Sequence, residues 1–128
     1  MHYKGQIEHQ LQADCQKNID MINSRVLSTN CTDEARAFFV KLVGDYYRLI
    51  AENAKDALLE EAKMKAKQAY EEANRIDLAP CNMIKLELAL NFSVFNYEVL
   101  KDHAKARELA DNALQQALEM IDDLDDLE

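Results

Sequence analysis

Punctuation is what this chain has least of: its 128 residues include two glycines, one proline and no tryptophan. A strand-rich fold needs turn residues at every reversal, so their scarcity excludes a sandwich or a barrel. The lone pair Gly5 and Gly44 cannot build a glycine-rich phosphate loop. Positive charge is also short, with 15 Lys plus Arg against 24 Asp plus Glu and a net charge of −9. That field repels DNA, RNA and anionic lipid, so no nucleic acid and no membrane is expected among the partners. No stretch approaches the roughly 18 apolar residues of a membrane span. The start, MHYKGQIEHQ, lacks the basic and apolar regions of a secretion signal. The expected location is the cytoplasm, with the nucleus open to it as well.

Catalytic and metal-binding patterns are absent too. Cys15, Cys31 and Cys81 fit no metal spacing and read as free thiols of a reducing compartment. His2, His9 and His103 form no HExxH pattern and read as solvent-facing side chains. The tail carboxylates Asp122, Asp123, Asp125 and Asp126 lack the central glycine and the alternation of a calcium loop. No serine or cysteine has a recognisable base and orienting acid beside it. The chain is expected to use no metal or cofactor and to catalyse nothing.

What is there is helix. Apolar residues make up 48% of the chain, enough for one core, and Ala, Leu, Glu, Lys and Gln fill long stretches. Ile7, Leu11, Cys15, Ile19, Ile22 and Val26 recur at steps of three or four and lay one stripe along a helix over residues 3–27. Thr32 can cap a second helix running to residue 53, with Asp33 and Glu34 against the positive end of its dipole. Its apolar face carries Phe38, Phe39, Leu42, Tyr46, Leu49 and Ile50, while Lys41, Asp45, Arg48 and Glu52 share another face. A third helix carries Leu59, Ala62, Ala66, Ala69, Tyr70, Ala73 and Ile76. The join over residues 52–58 has neither Gly nor Pro, so periodicity permits one unbroken helix there.

Pro80 forces a break over residues 78–82. A fourth helix over residues 83–100 buries Ile84, Leu88, Phe92, Phe95 and Val99 and sets Glu87, Asn91, Val94 and Glu98 on a separate face. Asp102 can cap a fifth, whose stripe is Ala106, Leu109, Ala110, Ala113, Leu114, Ala117 and Ile121. Residues 122–128 are expected to fray. The expectation is an all-α single domain over residues 1–128: five amphipathic helices, each antiparallel to the next. Ala-rich helix pairs with periodic Tyr and Leu also suit a tetratricopeptide array, although the Trp-Leu-Gly start of that repeat is missing.

Two segments are more particular than generic helix: FFVKLVGDYYRLIAE at 38–52 and IKLELALNFSVFNYEVL at 84–100. Both resemble the 14-3-3 family, in helices five and seven of its nine. The likeness begins at YKGQIEHQLQADC, similar to helix four, passes through KQAYEEANRI in helix six, and ends at KARELADNALQQALEMIDDL in helix eight. It implies a 14-3-3-like partial bundle that binds phosphoserine or phosphothreonine peptides in an amphipathic groove. Carried over residue by residue, it implies that Arg48 grips phosphate, Lys41 lies along the groove and Asn91 holds the peptide backbone. Leu90 and Val94 match apolar groove positions, and Glu98 matches an acidic position farther along. The side chains suit these roles: Arg presents a planar fork of donors, Lys a mobile charge, and Asn both a donor and an acceptor. Asp45, one turn before Arg48, can hold the guanidinium. The alternative for the charged stripe is a set of ordinary i, i+3 and i, i+4 surface pairs worth a few tenths of a kcal/mol.

The chain also departs from the family. Leu49 stands where a phosphate-touching tyrosine is usual, Glu87 stands where glycine is usual, and Gln6 and Gln10 replace charged residues. The family's first three helices, which supply two more basic phosphate ligands, and its last have no counterpart here. Two basic groups and a phenol correspond to roughly 4–8 kcal/mol of binding, so weak phosphopeptide recognition is expected. Uncovered apolar faces on helices one and two are expected to seek a homodimer partner or to exchange helices through a straightened join. A self-associating structural protein without phosphate recognition is the rival reading.

Overall fold

Helices form at all five periodic segments, in a computed structural model that describes the backbone of residues 2–126 and the side chains of residues 9–123. They are α1 (His2–Arg25), α2 (Asp33–Asn53), α3 (Asp56–Arg75), α4 (Met83–Glu98) and α5 (His103–Asp126). The side chains of His2, Gln6, Ile7, Asp125 and Asp126, singled out above, lie outside the described residues. Among the described residues there is no strand.

The helix starts are set by side-chain caps. Thr32 Oγ1 accepts from the Ala35 N–H at 3.1 Å, and Asp33 and Glu34 fill the first turn of α2. Asn82 Oδ1 accepts from the Ile84 N–H at 2.8 Å, a cap the sequence reading did not single out. Asp102 Oδ1 takes the Lys105 N–H at 3.0 Å. The join between α2 and α3 is a turn and not a continuous helix. Ala54 and Lys55 are extended, and Asp56 adopts φ 55°. Aspartate tolerates that left-handed conformation better than most residues, and only a reversal lets the alanine face of α3 be buried against α2.

α2 is the central element, packed on α1, α3 and α4, whereas among the described residues α1 touches only α2 and α5 only α4. Consecutive helices run antiparallel. α2 and α4, one helix apart in sequence, lie side by side and parallel. Asn82 donates to Glu34 and Asn91 to Asp45, sequence separations of 48 and 46 that stay nearly constant along the contact. The core is built on Ile19, Val40, Tyr70, Leu88 and Phe95.

Its central position makes α2 less amphipathic than its sequence suggests. Ala37, Val40, Val43, Ile50 and Ala51 are buried, while Phe38, Phe39, Leu42, Tyr46 and Leu49 of the expected face are only half-buried. With three neighbours, α2 buries most of its circumference. The reverse holds for α5. Ala106 and Ala117 are buried as expected, but Leu114 and Ile121, expected in the core, are exposed because α4 covers only one side of the helix. α5 remains helical to Asp126, farther than the expected fraying point. Among the described residues the bare large apolar side chains lie mainly on α4 and α5, and fewer on the helices one and two where they were expected.

Candidate functional site

The site is built around one close helix approach. A Cβ on Gly44 would lie 3.0 Å from both Cδ1 and Cε1 of Tyr70, so α3 presses its tyrosine ring directly onto the backbone of α2. That ring is fully buried and stacks on Phe92 of α4, with centroids 5.4 Å apart. Held between two helices, the Tyr70 hydroxyl donates to Asp45 Oδ1 at 2.5 Å. Burial, with the Asp45 carboxylate close by and accepting its hydrogen bond, pushes the phenol well above its ordinary pKa. It therefore stays protonated and remains a donor.

Asp45 collects three further partners. Lys41 Nζ lies 3.1 Å from Oδ2, Asn91 Nδ2 lies 3.1 Å from each carboxylate oxygen, and Arg48 Nη2 lies 4.0 Å from Oδ1. Lys41, expected along an open groove, is only 4% exposed, with its ammonium 5.4 Å from the centre of the Phe38 ring. A buried ammonium needs a counter-ion, and Asp45 supplies it. Arg48 is the less satisfied cation. Its contact with Asp45 is long, and its Nε is buried with no hydrogen-bond partner. Lys41 and Arg48 thus share the one carboxylate of Asp45, with Glu52 near enough to act on Tyr70 as well.

The structure thus brings Lys41, Asp45, Arg48 and Asn91 together where α2 and α4 meet. The remaining expected site residues lie farther around α4, toward α5. Leu90 is exposed about 100° around α4 from Asn91. Val94 lines a trough of about 530 Å³ between α4 and α5, together with Tyr97, His103 and Arg107. Glu98 borders both that trough and a second opening of about 610 Å³, where Glu52, Lys63 and Lys101 gather past the end of α2.

The sequence matches the family model for the 14-3-3 protein over residues 1–128. This chain belongs to the 14-3-3 family. It is 39% identical over 125 residues to 14-3-3 protein 3 of Entamoeba histolytica, covering 95% of this chain and 52% of that relative. It is 37% identical over 125 residues to 14-3-3-like protein RA215 of Solanum tuberosum, covering 95% and 49%. With 14-3-3 protein beta/alpha-A of Xenopus laevis it shares 35% over 127 residues, covering 97% and 52%. The chain spans about half the length of the curated 14-3-3 relatives it matches.

Sequence reasoning missed Tyr70, which it placed on the apolar stripe of helix three for its ring alone. The available signal was a phenol on a face otherwise made of alanines, where a buried hydroxyl must find a partner. Asn96 was missed too. It is buried, and its amide donates to the Phe92 carbonyl at 2.9 Å, a structural role within α4. Among the described residues no three His, Cys, Asp or Glu side chains converge as metal ligands, and no helix is long and apolar enough to cross a membrane. His9 and His103 are exposed, the latter stacked on Tyr97 at 4.2 Å. All three cysteines are free thiols, and burial raises the pKa of Cys15, with Asp14 adding to the shift.

Proposed function

We propose that this chain is an adaptor, not an enzyme, which binds phosphoserine or phosphothreonine peptides of other proteins in the cytoplasm along the seam between α2 and α4. One observation carries the reading: Arg48 sits in that seam with no short ion pair, its contact with Asp45 being 4.0 Å. The Arg48 side chain keeps 18% exposure, so its terminal nitrogens can meet an incoming phosphate oxygen in a charge-assisted hydrogen bond. Asp45 orients the guanidinium without saturating it, being held already by Lys41, Tyr70 and Asn91.

In this proposal Arg48 is the phosphate ligand, and Lys41 and Asp45 fix the field around it. The Asn91 amide nitrogen is spent on Asp45, so its carbonyl oxygen is the part that accepts a peptide N–H. Leu90 and Val94 give an extended peptide apolar contact on the far side of Asn91, and Glu98 disfavours acidic residues beyond them. Among the described residues Arg48 is the one guanidinium on this seam, which sets the expectation of weak binding. The rival reading, self-association, draws on one observation, the bare apolar residues of α4 and α5.

Titration of a labelled phosphoserine peptide and its unphosphorylated twin tests the proposal. The phosphorylated form is expected to bind at least about tenfold more tightly, since one charge-assisted hydrogen bond contributes about 1.5–3 kcal/mol. Arg48→Glu should erase the difference while circular dichroism stays unchanged. Equal binding of both peptides, or binding of neither, rejects phosphate recognition.

A further inference from the structure

One oxygen of Asp45 is claimed from three directions. The Tyr70 hydroxyl donates to Oδ1 at 2.5 Å and Asn91 Nδ2 at 3.1 Å, while Arg48 Nη2 stands 4.0 Å from the same atom. The other oxygen, Oδ2, takes Lys41 Nζ and the second contact of Asn91, both at 3.1 Å. A carboxylate has about four lone-pair sites, two on each oxygen. Two donors therefore fill each oxygen, and Arg48 is left with none. Its sequence position does not explain the gap, because residues three apart on a helix are neighbours and an arginine there readily pairs with an aspartate. The long contact follows from what already occupies Oδ1.

Of the two donors on Oδ1, the phenol is the fixed one. Its ring is fully buried, pressed onto Gly44 and stacked on Phe92, so the hydroxyl has a single position. Its bond is also the shorter, as an O–H donor to a carboxylate oxygen should be. Asn91 divides one amide nitrogen between the two oxygens and commits fully to neither. Arg48 differs from both. Its side chain keeps 18% exposure, and a guanidinium on a flexible stem settles wherever an acceptor is open.

We propose that Tyr70 is a positioning residue of the phosphopeptide site: by filling Asp45 Oδ1 it keeps Arg48 from closing onto that carboxylate and so leaves the guanidinium open to phosphate. The inference rests on the reading of Arg48 as the phosphate ligand, and it adds α3 to a site otherwise made by α2 and α4. Without the hydroxyl, Nη2 moves inward by about 1.2 Å, from 4.0 Å to the ~2.8 Å of a charge-assisted bond, and takes the vacated lone pair. An incoming phosphate must then break that pair before it can bind. Asp45 thus orients Arg48 while its oxygens are occupied and competes for it once one is free.

The test compares the whole wild-type chain with Tyr70→Phe, which keeps the ring, and with Tyr70→para-aminophenylalanine, which returns an N–H donor to the hydroxyl's place. Without peptide, the Arg48 guanidinium, assigned in a 1H–15N spectrum by its loss in Arg48→Lys, is expected to rotate rapidly about Nε–Cζ in wild type. Rotation should slow in Tyr70→Phe, as a direct ion pair forms, and recover with para-aminophenylalanine. A labelled phosphoserine peptide should bind Tyr70→Phe at least about tenfold more weakly than wild type, with circular dichroism unchanged, and the amino variant should restore binding. Arg48 rotation unaltered by Tyr70→Phe overturns the proposal even if binding falls, since lost packing alone would produce that result. So does slow rotation in wild type, a result that needs no variant to fold. A wild type that binds the peptide and its unphosphorylated twin alike sinks the phosphate reading, and the peptide-free spectra then decide by themselves whether Tyr70 keeps Arg48 off Asp45.

Discussion

Replacing Asp45 with alanine is expected to destabilise the fold by about 3–5 kcal/mol, the cost of removing one partner of a buried ion pair. The size follows from what is left behind. Lys41 is 4% exposed and would lose its counter-ion. The Tyr70 hydroxyl and the Asn91 amide would lose their acceptor. Against a typical total stability of about 5–15 kcal/mol, such a loss should appear as a large fall in the urea midpoint. The penalty belongs to the stranded ammonium more than to the absent carboxylate. Adding Lys41→Met to Asp45→Ala should therefore restore about half the loss, a coupling that independent surface pairs would not show. A fall below about 1 kcal/mol for Asp45→Ala alone would mean that these residues are ordinary solvated helix pairs.

The second large effect is expected at Tyr70. Tyr70→Ala should cost about 3–5 kcal/mol, as for other large aromatic truncations, because the fully buried ring fills the space between Gly44 and Phe92. Tyr70→Phe keeps the ring and removes the hydroxyl, and should cost about 1.5–3 kcal/mol, the range for a hydrogen bond to a charged group. The pH dependence separates the two contributions. The folded phenol has a raised pKa, so its stabilising effect is complete below the unfolded value of about 10 and is lost as pH climbs above it. The stability advantage of wild type over Tyr70→Phe should be constant from neutral pH to about pH 10 and shrink at higher pH. Urea titrations at pH 7, 9 and 11 measure it, and an advantage that grows above pH 10 would contradict the assigned hydrogen bond.

Helices were legible where local chemistry decides them. Thr32 and Asp102 announced two helix starts, Pro80 announced the break, and the alanine face of α3 was buried as its spacing implied. What escaped reading depended on the number of neighbours each helix acquires. α2 has three, so its true core includes Val40 and Val43, outside the expected stripe. α5 has one, so Leu114 and Ile121 stand in water despite perfect periodicity. Of the site, Lys41, Asp45 and Arg48 were visible as one helical face, and the family likeness tied Asn91 to them. Spacing could not show that Asp45 is the common acceptor, because Tyr70 and Asn91 reach it from 25 and 46 residues away. Nor could it tell a buried lysine from a groove lysine, since both occupy the same turn.

Arg48 offers the most direct reading of the central claim, that its guanidinium, held by Asp45 at only 4.0 Å, takes a phosphate oxygen. In a 1H–15N spectrum, the Nε signal lost on Arg48→Lys identifies the group. Saturating phosphoserine peptide should shift that signal downfield and slow its exchange with water, while the unphosphorylated twin leaves it in place. A signal that stays put under both peptides, or moves equally with both, would contradict a phosphate-reading seam between α2 and α4.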